Sequence, residues 1–94
     1  MSNYKITEYS FDKAKKLNLI IKISKNPLKK IGVYTSDNKF IASIGSSAHM
    51  DYPHYILTYS REYADTRREL YISRHKRNAD VKYSKQWLAL NLLW

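Results

Sequence analysis

Ninety-four residues, a formal net charge of +9 and no cysteine predict one small basic domain spanning residues 1–94, without disulfides, thiolate chemistry or cysteine-held zinc. At 44% apolar residues the chain has enough to fold, which excludes a disordered polycation. It has no run of about twenty apolar residues to span a bilayer, and its opening MSNYKITEYSFDK lacks the apolar run of a secretory signal, so the reading is neither membrane-spanning nor secreted.

Residues 1–16 are polar, with Tyr4, Ile6, Tyr9 and Phe11 as anchors. They read as a loosely ordered arm, with Ser10 or Asp12 capping a short helical turn through Ala14. Residues 17–23, LNLIIKI, alternate with strand period, and Ser24-Lys25-Asn26-Pro27 breaks the pattern. Residues 30–35, KIGVYT, form a second predicted strand, with Ile31 and Val33 on one face and Tyr34 on the other. Ser36-Asp37-Asn38-Lys39 is a hairpin turn, since Asp and Asn tolerate left-handed backbone angles. Residues 40–44, FIASI, make the third strand, ended by Gly45-Ser46-Ser47. Three consecutive antiparallel strands pair as a meander with one apolar face, whose cover is expected from the second half. There, Asp51 is a candidate N-cap with Pro53 in the first turn of a helix over 52–59. A break near Ser60 follows, then a helix from Arg61 ended by Asn78-Ala79-Asp80. Ser84 caps a last helix, KQWLALNLLW. The fold class is therefore α+β, a three-stranded antiparallel meander packed against two or three helices.

The stretch 61–77, REYADTRRELYISRHKR, holds all five arginines of the chain and no Gly or Pro. Its acids come early and its cations late, matching the helix dipole. At about 100° per residue, Glu62, Asp65, Glu69 and Ser73 form one acidic face, and Arg61, Arg68 and His75 stack along another line. Ala64 and Tyr71 lie beside that line, Tyr63 and Leu70 on the far side, and Arg67 and Arg74 between. Arginines bordering an apolar stripe pack their stems and send guanidinium groups outward, and a guanidinium fork matches phosphate oxygens. The candidate nucleic-acid-binding residues are Arg61, Arg67, Arg68, Tyr71, Arg74, His75, Lys76 and Arg77. Tyr71 would stack on a base or sugar if the target is single-stranded. The alternative is an ordinary solvated helix face, with Arg67 and Arg74 paired inside the fold to Asp51, Asp65 or Asp80.

Lys13, Lys15, Lys16, Lys22, Lys25, Lys29 and Lys30 either protect a sheet edge or extend the cationic footprint. His49-x-Asp51-x-x-His54 has metal-ligand residue types at a loose spacing, and capping by Asp51 with surface histidines is the better reading. The chain carries no GxSxG, P-loop or Gly-rich dinucleotide turn. A nuclease would need His75 with Asp65 or Asp80; His75 and Asp65 fall on different faces of their helix, so that pair fails on geometry, and no catalytic set, cofactor or metal is expected. WLALNLLW reads as a core-closing helix or a dimer contact.

The order VYTSDNKFIASIGSS, DYPHYI, EYADTRRELYISRHKRNAD, WLALNLLW resembles an uncharacterised family of small basic proteins encoded by giant DNA viruses and large phages. The matching positions are Ile44-Gly45, Asp51-Tyr52-Pro53, Tyr63-Ala64, Arg67-Arg68, Leu70-Tyr71, Arg74-His75, Asp80 and Leu93-Trp94, over roughly residues 30–94. The segment after Asp80 departs from the family in lacking a Gly-Ser-rich loop, and residues 1–29 have no counterpart. The resemblance implies a viral origin and a compact α+β unit, and transfers no reaction. The expected function is non-catalytic nucleic-acid binding through backbone phosphates, DNA ahead of RNA, in the host cytoplasm or nucleus or in the virion. A homo-oligomer stays open. The rival readings are a virion or assembly protein making protein contacts, and a small anti-host factor that binds an acidic host protein.

Overall fold

The computed structural model describes residues 4–75 and 80–94. The elements run α1 (Glu8–Lys16), β1 (Leu19–Ile23), β2 (Lys29–Thr35), β3 (Phe40–Ser46), α2 (Tyr52–Thr58), α3 (Arg61–His75) and α4 (Lys85–Leu93). The fold is α+β, and the chain divides into two compact units, Met1–His49 and Met50–Trp94.

In the first unit the strands form one antiparallel sheet in the order β1-β2-β3, the meander expected from the alternation. Its register sets Ile23, Ile31 and Ile44 side by side, then Ile21, Val33 and Ala42. Paired residues point to the same face, and all but Ile23 are buried. The hairpin between β2 and β3 closes as its residue types require: Asn38 takes φ 69° and donates its N–H to the Thr35 carbonyl. A bulge beside Val33 and Tyr34 then brings the Tyr34 and Phe40 rings edge to face at 5.5 Å.

The arm differs from its expectation. Thr7, not Ser10 or Asp12, is the N-cap, accepting from the Ser10 N–H, and the helix that follows runs for nine residues. Ser10 and Ala14 are buried, and α1 packs on β1. Glu8 in the first turn and Lys13, Lys15 and Lys16 in the last suit its dipole. Leu17 closes the helix and Asn18 takes φ 59°, so the strand begins at Leu19 rather than Leu17. The left-handed residue that ends the helix consumes the first step of the alternation.

In the second unit Asp51 caps α2, accepting from the His54 N–H at 3.3 Å, and Pro53 lies in the first turn. Tyr59 leaves helical angles (φ −118°, ψ −88°), and the Ser60 hydroxyl accepts from the Tyr63 N–H to start α3. The break foreseen at Ser60 is therefore a C-cap followed at once by an N-cap, which folds α3 back to pack on α2. Ser84 caps α4 through the Trp87 N–H, and Leu88, Ala89, Leu92, Leu93 and Trp94 are buried.

Candidate nucleic-acid interface

The helix carrying the arginines is not a core helix. Of its fifteen residues only Ala64 is buried. Glu62, Asp65, Glu69 and Ser73 are exposed on the acidic side. Tyr63 and Leu70 are exposed on the side that the 100° rotation places beyond Arg67 and Arg74.

α3 is held to α2 and to Trp94 by aromatic rings. Tyr59 and Tyr63 lie 4.7 Å apart between centroids, and Tyr55 sits 6.2 Å from Tyr59 and 5.7 Å from Tyr63. Tyr55 continues to Trp94 at 6.1 Å. Trp94 stacks on Tyr71 at 4.2 Å with 12° between planes, and Tyr71 stacks on His75 at 4.3 Å. Six rings thus make one chain of contacts from the start of α3 to its end. Offset and edge-to-face pairs of this kind contribute about 0.5–1.5 kcal/mol each beyond burial.

The arginines take different parts. The Arg67 guanidinium lies over the Tyr55 ring at 5.6 Å. The Arg68 guanidinium lies over the Tyr52 ring at 5.6 Å, and its Nε donates to the Trp94 main-chain oxygen at 2.8 Å. Arg61 opens the helix beside the Tyr52 hydroxyl. Arg74 is exposed in the last turn. Among the described residues none of these four arginines has an Asp or Glu carboxylate within ion-pair distance. The internal pairing considered for Arg67 and Arg74 is corrected by where the acids go. Asp65 accepts from the Tyr52 hydroxyl at 2.6 Å. Asp51, 0% exposed, caps α2 and holds His54 Nδ1 at 2.6 Å.

The structure gives Tyr71 and His75 a structural place. Tyr71 is half-buried, stacked on Trp94 and His75, and its hydroxyl accepts from Gln86 Nε2 at 2.9 Å. Burial pushes its phenol pKa up, while the Gln86 hydrogen bond pulls the other way. His75 Nδ1 lies 3.1 Å from the Tyr71 carbonyl and donates to it, because a carbonyl only accepts. Tyr71 is therefore engaged where a base was expected to stack. Of the six rings in the chain, those open to solvent are Tyr59, 61% exposed, and Tyr63, 43% exposed. Lys76 and Arg77 lie outside the described residues.

Tyr55, Tyr59 and Trp94 were not among the sequence candidates, nor was Tyr63 as a contact. The signal that marks the tyrosines is a recurrence every four residues, Tyr55, Tyr59, Tyr63, Arg67, Tyr71, His75; it does not mark Trp94. Neighbours four apart share a helix face, and the caps around Ser60 carry the series from α2 to α3.

In the first unit several lysines also meet rings. Lys22 Nζ lies 4.8 Å from the Tyr34 centroid and donates to Asn38 Oδ1. Lys13 lies over Tyr9 at 5.0 Å. Lys30, only 4% exposed, lies over Tyr4 at 5.4 Å. Among the described residues no three His, Asp or Glu side chains converge to hold a metal ion, and no helix is long and apolar enough to cross a membrane.

No protein-family model, curated protein or solved structure matches the chain.

Proposed function

We propose that the protein is a non-catalytic nucleic-acid-binding protein, contacting backbone phosphates, DNA ahead of RNA, through the arginine side of α3. The observation that carries the reading is the set of arginines without Asp or Glu partners among the described residues, beside exposed tyrosines, on a chain of net charge +9. Unneutralised guanidinium groups next to low-dielectric rings attract polyanions. Arg61, Arg67 and Arg74 are the main contacts, with Lys76 and Arg77 as sequence neighbours, and Arg68 and His75 contribute charge while serving the fold. The resemblance to the viral and phage family supports a setting in the host cytoplasm or nucleus or in the virion.

Each neutralised phosphate releases counterions, so about four contacts give a slope of log affinity against log salt of roughly −3 to −4. Fluorescence anisotropy of labelled DNA titrated at several salt concentrations measures it. Absence of binding at low salt, or a flat salt response, refutes the reading. The double change Arg67→Glu, Arg74→Glu should leave the fold intact and abolish binding.

A second reading, an assembly protein making protein contacts, is favoured by apolar side chains in water, Leu57 at 76% exposed above all. It requires an oligomer in light scattering that survives high salt, and a strict monomer removes it.

A further inference from the structure

We infer that the site takes single-stranded rather than duplex nucleic acid, with Tyr59 and Tyr63 as the rings on which bases stack and Arg67 and Arg74 as the cations that follow the backbone. The inference rests on the binding reading above and adds the strand type. A duplex offers a protein phosphates, sugars and groove edges, and its base faces are covered by one another. Phosphate contacts alone leave the solvent-facing sides of two large rings uncovered. In the structure Tyr59 and Tyr63 are the most exposed of the six-ring chain, lie 4.7 Å apart, and close one end of it. The rings inward of them are committed to each other. An unstacked base offers a π-face to the open side of such a ring, and stacking of this kind tolerates any sequence.

The cations are placed to serve the same strand. Arg67 lies one turn beyond Tyr63 and over the Tyr55 ring at 5.6 Å. Arg74 lies on the same side, about 10 Å farther along the axis at 1.5 Å per residue. A stacked segment leaving Tyr63 thus runs past both. A second copy of this chain is a poorer occupant. A two-fold contact sets each patch against its like and faces Arg67 and Arg74 with the same cations, whereas Glu62, Asp65 and Glu69 lie round the helix from them.

The test uses the full chain with fluorescein-labelled oligothymidine, an oligouridine of the same length, and a duplex of that length, in one low-salt buffer. The expected result is tighter binding of the single strands than of the duplex. Tyr59→Ala and Tyr63→Ala should each lower single-strand affinity by about 5- to 150-fold. The salt slope and duplex affinity should hold, and Tyr59→Phe with Tyr63→Phe should keep single-strand affinity. Where an alanine variant fails to fold, the leucine variant, which keeps bulk and loses the ring, gives the same readout. Duplex binding equal to or tighter than single-strand binding, with the tyrosine changes lowering neither, overturns the inference and leaves the phosphate reading standing. A dimer that the tyrosine changes dissolve overturns it in favour of a contact between copies. No binding to any of the three removes the phosphate reading and the inference together.

Discussion

Arg68 and Arg74 look equivalent in the sequence, and the structure predicts that replacing them has opposite consequences. Arg68 Nε donates to the Trp94 main-chain oxygen at 2.8 Å, and its guanidinium covers the Tyr52 ring. A hydrogen bond from a charged group contributes about 1.5–3 kcal/mol and a cation–π contact about 0.5–1. The guanidinium itself stays exposed, so solvent screening reduces the total to roughly 1–2 kcal/mol. Arg68→Ala should therefore lower the melting temperature by roughly 5–15 °C for a chain of this length. It should also change the environment of Trp94, read in tryptophan fluorescence and near-ultraviolet circular dichroism. Arg74→Ala removes an exposed side chain, a change usually within about 0.5 kcal/mol, so it should melt as the parent does. It should instead weaken DNA binding and reduce the salt slope by about one. Thermal unfolding by circular dichroism and anisotropy titration, run on both variants, decide the matter. Equal melting of Arg68→Ala and the parent, or equal destabilisation by the two changes, refutes the division of labour.

Tyr52 predicts an alkaline limb in stability. Its hydroxyl bond to Asp65 raises its pKa above the ordinary 10.0, burial and the Asp65 charge add to this, and Arg61 opposes it. The folded chain thus keeps a proton that the unfolded chain has lost, so the contribution is complete below pH 10 and falls away as pH rises through the folded value. Tyr52→Phe should be less stable at neutral pH by about 1 kcal/mol and show a shallower decline above pH 10 in urea titrations. An unchanged alkaline limb would count against the assignment. Asp51→Ala removes both the N-cap of α2 and the acceptor for His54, at a cost of about 2 kcal/mol, whereas Asp51→Asn keeps the cap and restores part of it. Equal loss in the two variants would place the effect elsewhere.

Much of the architecture follows from local pattern. The alternation of Ile21 and Ile23 and of Ile31 and Val33 makes strands, Asn38 makes the hairpin, and Asp51, Ser60 and Ser84 start helices, because period and capping depend on a few residues close in the chain. The same locality set the acidic side of α3 and the positions of its arginines. The helix in the arm was harder to see: its buried side chains are Ser10 and Ala14, too small to give an apolar period.

What lay beyond the sequence was the fate of each charged group. Arg67, Arg68 and Arg74 have the same chemistry and lie within two turns of one helix. Only the path of the chain after α3, which brings the Trp94 main-chain oxygen to Arg68, singles out one as a tie. Likewise, Tyr71 looked like the ring free to stack on a base until Trp94 arrived to stack on it. Helical period states which side chains share a face of one element. Which of them remain open to a ligand depends on what packs there from residues far along the chain, and that is decided only when the whole chain folds.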